Sequence, residues 1–385
     1  KMCIFAEKIN IMKFIVSSQL LSKNLQNVNG IITVNRSVPI IENILFIIAD
    51  NQLTLRGTDL ETTISATLEL SEVEGEGSIV VPGKLIVETI KSLPDVPVVF
   101  NIKEDYTIEI SANNGKYELM GFDAEQYPQF KEIEEEKSFK IAAATLENAI
   151  GKTAFATGNA EIRPVMGGVF CQISNENITL VATDAHRLVR YINTSVKANV
   201  EADLIIPKKP LLQLKNILQG LDVDVKVSYS EDRACFAVEN TVIATKLIEG
   251  KYPNYEAVIP SNNTNVLQVE RLDLLQKMKN ISLYANQSTH QIRFKIEGDK
   301  LILTAEDLDH STKATASVSC VFESEESEFE IGFSSKLLQE ILINLDANNA
   351  IFKFSHSTGA VLVFEDEKKD DEDILMLIMP VMLNA

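Results

Sequence analysis

The chain is short of the residues that chemistry usually needs in groups. Its 385 residues include only 4 cysteines and 4 histidines. Cys3, Cys171, Cys235 and Cys320 stand alone. The absence of any CxxC pair argues against a zinc site and a disulfide framework, and isolated thiols fit a reducing cytoplasm, the expected location. His186, His290, His310 and His356 are scattered without metal-ligand spacing. There is no serine-nucleophile motif, Walker loop or dinucleotide fingerprint, and Gly75-Glu76-Gly77 lacks the rest of a phosphate loop. No run of 18 apolar residues exists to cross a membrane as a helix. No secretory signal is evident. The expectation is a protein without a cofactor, a metal or a catalytic centre.

What the chain has is repetition. Leu53-Thr54-Leu55-Arg56-Gly57-Thr58-Asp59-Leu60 returns as Ile178-Thr179-Leu180-Val181-Ala182-Thr183-Asp184-Ala185. It returns more weakly as Leu301-Ile302-Leu303-Thr304-Ala305-Glu306-Asp307-Leu308. Asp59 and Asp184 lie 125 positions apart, and Asp184 and Asp307 lie 123 apart. That period is a whole domain and not a solenoid repeat. Asp184-Ala185-His186 and the acids Glu306, Asp307 and Asp309 could in principle serve acid–base or metal chemistry. The Asp occurs in all three copies, however, whereas His186 occurs in one. The Asp is therefore expected to cap a strand-end turn.

The flanking elements keep step. Each copy opens with a short strand and an amphipathic helix, as in Lys13-Phe14-Ile15-Val16 followed by Ser17 to Asn29, where Leu20, Leu21, Leu25 and Val28 form one apolar stripe. A second strand and helix follow, as in Ile79-Val80-Val81-Pro82 then Gly83 to Leu93. Alternating segments such as Tyr106-Thr107-Ile108-Glu109-Ile110 read as half-buried strands. One copy is thus two helices over a largely antiparallel sheet, an α+β domain. Domains are expected at 12–134, 137–260 and 265–383. Residues 1–11 are expected to be a leader or remnant.

The net charge is −19, which by itself argues against nucleic acid. The charge is unevenly spread. The six predicted helices together carry +6, leaving −25 for the rest of the −19 chain. Helix faces that share one surface would meet a polyanion there. On these helices Lys23, Lys84, Lys91, Lys152, Lys208, Lys209, Lys215, Lys277 and Lys279 are the candidates for such a contact. The plain alternative is that solvated helices favour lysine for its propensity, and each lysine taken alone reads as a solvated side chain.

Three copies, Gly57-Thr58-Asp59-Leu60-Glu61, Ala182-Thr183-Asp184-Ala185-His186-Arg187-Leu188, Tyr252-Pro253-Asn254-Tyr255 and the ending Leu377-Ile378-Met379-Pro380-Val381-Met382-Leu383 together resemble the bacterial DNA sliding clamps. These are the beta subunits of the replicative DNA polymerase. The resemblance runs from Met12 to Leu383. It implies three clamp domains per chain and a ring-shaped, head-to-tail homodimer whose helices line a hole around double-stranded DNA. It implies tethering of the replicative DNA polymerase, with the clamp loader, other polymerases and repair proteins as partners through short linear peptides, and no membrane. It also brings in Arg36 as a DNA-contacting loop residue, and Tyr117, Leu119 and Tyr284 as dimer-interface positions.

The resemblance further implies a hydrophobic peptide-docking groove. Matched position by position, the groove takes Val165, Thr183, His186, Arg187, Leu188, Pro253, Val258 and Ala360. The C-terminal arm adds Leu377, Ile378, Met379, Pro380, Val381, Met382 and Leu383. The arm is nearly all apolar after a charged loop, and Met-rich surfaces adapt to several partners; it also reads simply as a final buried strand. Ala185 stands where the family most often has Gly, Met382 where Arg is frequent, and Ala257 where a charged residue can occur, so a more apolar pocket is expected. The competing reading is a repeat scaffold that docks proteins without enclosing DNA.

Overall fold

Thr58, Asp59 and Leu60 build the turn that recurs through the chain. In the computed structural model, which describes residues 11–129, 137–324, 328–367 and 369–383, the Thr58 hydroxyl donates to the Thr62 carbonyl (2.8 Å) and accepts from the Leu60 N–H (3.0 Å). The Asp59 carboxylate accepts from the N–H groups of Glu61 and Thr62. The second copy repeats each bond. Thr183 donates to the Arg187 carbonyl (2.6 Å) and accepts from Ala185, and Asp184 accepts from His186 and Arg187. In the third copy Asp307 accepts from the Asp309 N–H and meets His310 Nδ1 at 3.1 Å. The repeated Asp is thus a turn cap. The turn requires a left-handed residue, and Leu60 (φ 81°) and Ala185 (φ 75°) supply it without being glycine.

Among the described residues, six α-helices follow the expected order: α1 Ser18–Asn29, α2 Gly83–Ser92, α3 Ala143–Thr153, α4 Lys208–Leu218, α5 Arg271–Ile281 and α6 Ser335–Ile343. Ser17 caps α1, accepting from the Leu20 N–H, and Leu21, Leu25 and Val28 form its buried stripe. Pro82 precedes α2, where a missing N–H leaves no bond unmade.

Three sheets carry the helices. A five-stranded sheet lies within the first copy, and sheets of nine and twelve strands continue from one copy into the next. Six strands matter for the function: β1 Thr62–Glu69, β2 Gly115–Met120, β3 Arg187–Asn193, β4 Thr241–Lys246, β5 Thr312–Glu323 and β6 Glu372–Ile378. β1 of copy one pairs antiparallel with β4 of copy two, Thr63 opposite Ala244. β3 of copy two pairs in the same way with β6 of copy three, Leu188 opposite Leu377.

Packing therefore divides the chain differently from its sequence repeats. One compact unit is Lys1–Glu147 with Lys209–Leu247, and the other is Asn148–Lys208 with Ile248–Ala385. The middle copy gives one sheet to each. Most of the expected leader at 1–11, most of the junction at 134–138 and the terminal Asn384-Ala385 lie outside the described residues.

Among the described residues of the second unit, Lys152 and Arg187 are buried. Lys152, 5% exposed, donates to the Asn344 carbonyl (2.8 Å) and to Glu365 (2.9 Å), and pairs with Asp346 (2.8 Å). Arg187, also 5% exposed, meets Asp184 at 3.0 Å, Glu340 at 2.8 Å and the Phe155 carbonyl at 2.9 Å, with its guanidinium over the Phe155 ring. A buried cation is tolerated only with such a full set of acceptors.

Removing Lys152 leaves the largely buried Glu365 without its cation. Lys152→Ala is expected to lower unfolding stability by about 3 kcal/mol or more in urea titration. Ala185→Gly is expected to raise it by about 0.5–1 kcal/mol, because relief of the left-handed strain exceeds the added chain entropy of glycine.

Candidate peptide-docking groove and helix faces

The expected groove residues lie within the second unit. Their floor is an apolar cluster in which Leu188 and Leu377, paired across two strands, pack with Val181, Ile205, Tyr252 and Leu362. Val165 and Ala360 pack on its partly open margin. Phe170 stacks on Tyr252 with centroids 4.8 Å apart. The Tyr252 hydroxyl donates to the Val181 carbonyl, and the Tyr255 hydroxyl to Gln172. Burial pushes the pKa of both phenols above the usual tyrosine value, so they stay neutral donors at physiological pH.

The C-terminal arm is held on this floor by its backbone. The Met379 N–H donates to the His186 carbonyl (2.8 Å), and the Val381 N–H to the Gly332 carbonyl (2.8 Å). A Cβ at Gly332 would lie 2.5 Å from the Val381 carbonyl oxygen and 2.8 Å from Leu383. Glycine there lets the arm approach. The arm and its surroundings present an apolar rim: Met382 is 78% exposed, Val258 55% and Met379 40%. His186 is also exposed, and Pro253, Pro380, Val381 and Leu383 are partly buried.

Three expected groove residues have other roles. Successive strand residues face opposite sides, so Arg187 points away from the cluster that Leu188 enters. Its side chain is spent on Asp184, Glu340 and Phe155. Ile378 is fully buried, and Thr183 is a buried turn hydroxyl. Each shapes the groove through the backbone and not as a lining side chain. Glu340 and Gly332 were not identified from the sequence, because their partners lie far away in the chain and no local pattern marks them.

The lysines divide as well. Lys23, Lys84, Lys91 and Lys279 are exposed, as is Arg36, while Lys208, Lys215 and Lys277 are partly exposed. Lys23 and Lys91 line a polar crevice of about 500 Å³ between α1 and α2. Lys209 bonds the Asp59 carboxylate and the Ile31 carbonyl, both at 2.7 Å, and is a tie within its own unit. Lys152 is a correction: its ammonium lies inside the second unit with its acceptors filled and cannot meet a phosphate on a surface. Of the expected interface positions, Tyr117 is 39% and Tyr284 45% exposed, but Leu119 is largely covered by its own unit at 8%.

Comparison with known proteins gives one answer over the whole chain. Residues 12–131, 140–254 and 256–382 match the family models for the N-terminal, central and C-terminal domains of the DNA polymerase III beta subunit. The beta sliding clamp of Vibrio cholerae is 26% identical over 377 residues, covering 97% of this chain and 100% of that protein. The beta sliding clamp of Bacillus subtilis is 26% identical over 381 residues, covering 96% and 99%. A crystal structure of the sliding clamp of Pseudomonas aeruginosa bound to griselimycin superposes with a TM-score of 0.89 at 25% identity, covering 97% of this chain and 100% of that one. The fold and these matches agree: the chain belongs to the DNA polymerase III beta-subunit family, the beta sliding clamps, which are processivity factors and not enzymes.

Proposed function

We propose that two copies of this chain close head to tail into a ring around duplex DNA in the bacterial cytoplasm. The ring tethers the replicative polymerase and, in turn, the clamp loader, other polymerases and repair proteins through short linear peptides seated in the groove. The observation that carries this reading is the triplicated domain whose helices keep exposed lysines on a strongly acidic chain. Lys23, Lys84, Lys91 and Lys279, with Arg36 and the partly exposed Lys208, Lys215 and Lys277, are the residues offered to phosphate. Lysine contacts with phosphate carry no sequence information and weaken with salt. Enclosure therefore does the holding, and the weak contacts leave the ring free to slide. A polymerase peptide bound to a ring that cannot leave its template gains effective concentration at the primer end.

The groove supports the second half of the proposal. An apolar floor under an exposed Met379–Met382 rim suits apolar side chains of an extended segment, and flexible methionines can repack around several sequences.

Loading the protein onto nicked circular plasmid and then cutting the circle tests enclosure. Retention on the circle in high salt with release on linearisation is expected. Release that follows salt alone and ignores topology would instead support a docking scaffold. For the groove, Gly332→Ala is expected to displace the arm and weaken a fluorescent polymerase-tail peptide about tenfold or more, with unchanged retention on circular DNA; unchanged peptide affinity would remove the arm from the site.

A further inference from the structure

The sheet face that bears the apolar cluster continues past it to a cation. Leu188, Leu377 and Leu362 stand side by side across three strands. Two residues along β3 from Leu188, Arg190 stands opposite Leu375 in the next row. Alternation puts Arg190 on the face of Leu188 and not on that of Arg187, and the two rows lie about 7 Å apart. Phe364, two residues on from Leu362, packs on the cluster while remaining partly exposed. Lys353 lies opposite Leu362, with its ammonium 5.5 Å from the centre of the Phe364 ring. The apolar strip is thus flanked by a cation at each of two opposite corners, on a chain whose net charge is −19.

Arg190 is only partly satisfied by its neighbours. Its Nη2 donates to Asp373 at 2.8 Å, and among the described residues it makes no other hydrogen bond. Its Nε is buried without a partner, although the side chain as a whole is 23% exposed. The guanidinium is therefore desolvated on one side and open on the other. Arg187, three positions earlier, shows the contrast: it holds Asp184, Glu340 and the Phe155 carbonyl. A cation that is half withdrawn from water and holds one carboxylate gains more from a second than a cation on open surface would. An apolar strip ending in such a cation is complementary to an apolar segment that carries an acid.

We propose that Arg190 binds an acidic side chain of the docking peptide, two residues from the apolar side chain seated over Leu188 and Leu377. The proposal rests on the groove reading above and adds a charge preference to it. The spacing follows from an extended segment, whose alternate side chains advance by the same distance of about 7 Å as the two rows. A side-chain carboxylate is the occupant and not a chain end. The face runs on past Arg190 to the partly exposed Ile192, so a segment laid along it continues.

The test uses the full chain and a fluorescent polymerase-tail peptide, amidated at its C-terminus and with every acid replaced by its amide. Glu is then placed at each position in turn. One position, two residues from the apolar side chain whose loss costs most, is expected to bind about fivefold tighter with Glu than with Gln. In Arg190→Leu that ratio should fall to about one, and in Arg190→Glu a Lys at the same position should bind tighter than Glu. Equal affinity for every Glu position overturns the proposal. So does a ratio that survives Arg190→Leu and falls in Lys353→Gln instead. A gain seen only when the terminal amide is replaced by a free carboxylate assigns the site to a chain end and overturns the side-chain choice. Failure of every peptide to bind, acidic or not, overturns the groove reading itself.

Discussion

Backbone pairing between one copy and the next is the constraint on which the rest depends. An unpaired strand edge exposes a row of N–H and C=O groups and invites uncontrolled association. β1 and β3 each meet that hazard by taking the last strand of the following copy, with the same register and the same closing turn bond. A sheet built in this way has no natural stop inside a chain of three copies. The first copy keeps β2 without a following neighbour, and the third keeps half of β5 in the same state. The proposed ring closure would be the finite answer to a repeat that always needs one more partner.

The Thr-Asp turn locks each internal pairing, and charged side chains then tie the turn to the second helix of the following copy. Asp59 is held by Lys209 of α4, and Asp184 by Arg187, which reaches Glu340 of α6. The two solutions use different residues at different positions for the same end. The proposed docking groove would be a by-product of the second junction. There the joining strand belongs to the end of the described chain, so the residues beyond β6 form a methionine-bearing arm over the joint. Where β4 joins β1, the chain continues instead into Leu247 and the rest of the middle copy, and Ala244 and Thr63 stand in place of Leu377 and Leu188.

Much of this was legible in sequence. The period, the turn Asp, the six helices and the alternating strands all follow from local patterns, and the resemblance carried by Tyr252-Pro253 and the apolar ending pointed to residues that the structure gathers in one apolar cluster. Long-range burial was not legible. Lys152 and Lys23 have the same chemistry on similar helices, yet Asn344 and Glu365, far along the chain, make one a buried tie while the other remains exposed. Arg187 was grouped with Leu188 because they are neighbours in the motif, whereas strand alternation sends them to opposite faces. The third turn was the faintest in sequence because it is longer: Asp307 pairs with Thr312, while the equivalent Asp59 bonds Thr62 three residues on.

Amide hydrogen exchange at two protein concentrations, one above and one below the dimer dissociation constant, tests the proposed closure of two copies through the strand edges left open at β2 and β5. The account predicts that β1, β3, β4 and β6 keep their protection at both concentrations. Residues 115–120 and 312–316 should be protected only when the protein is concentrated. Equal protection of those two segments at both concentrations, or none at either, would contradict it.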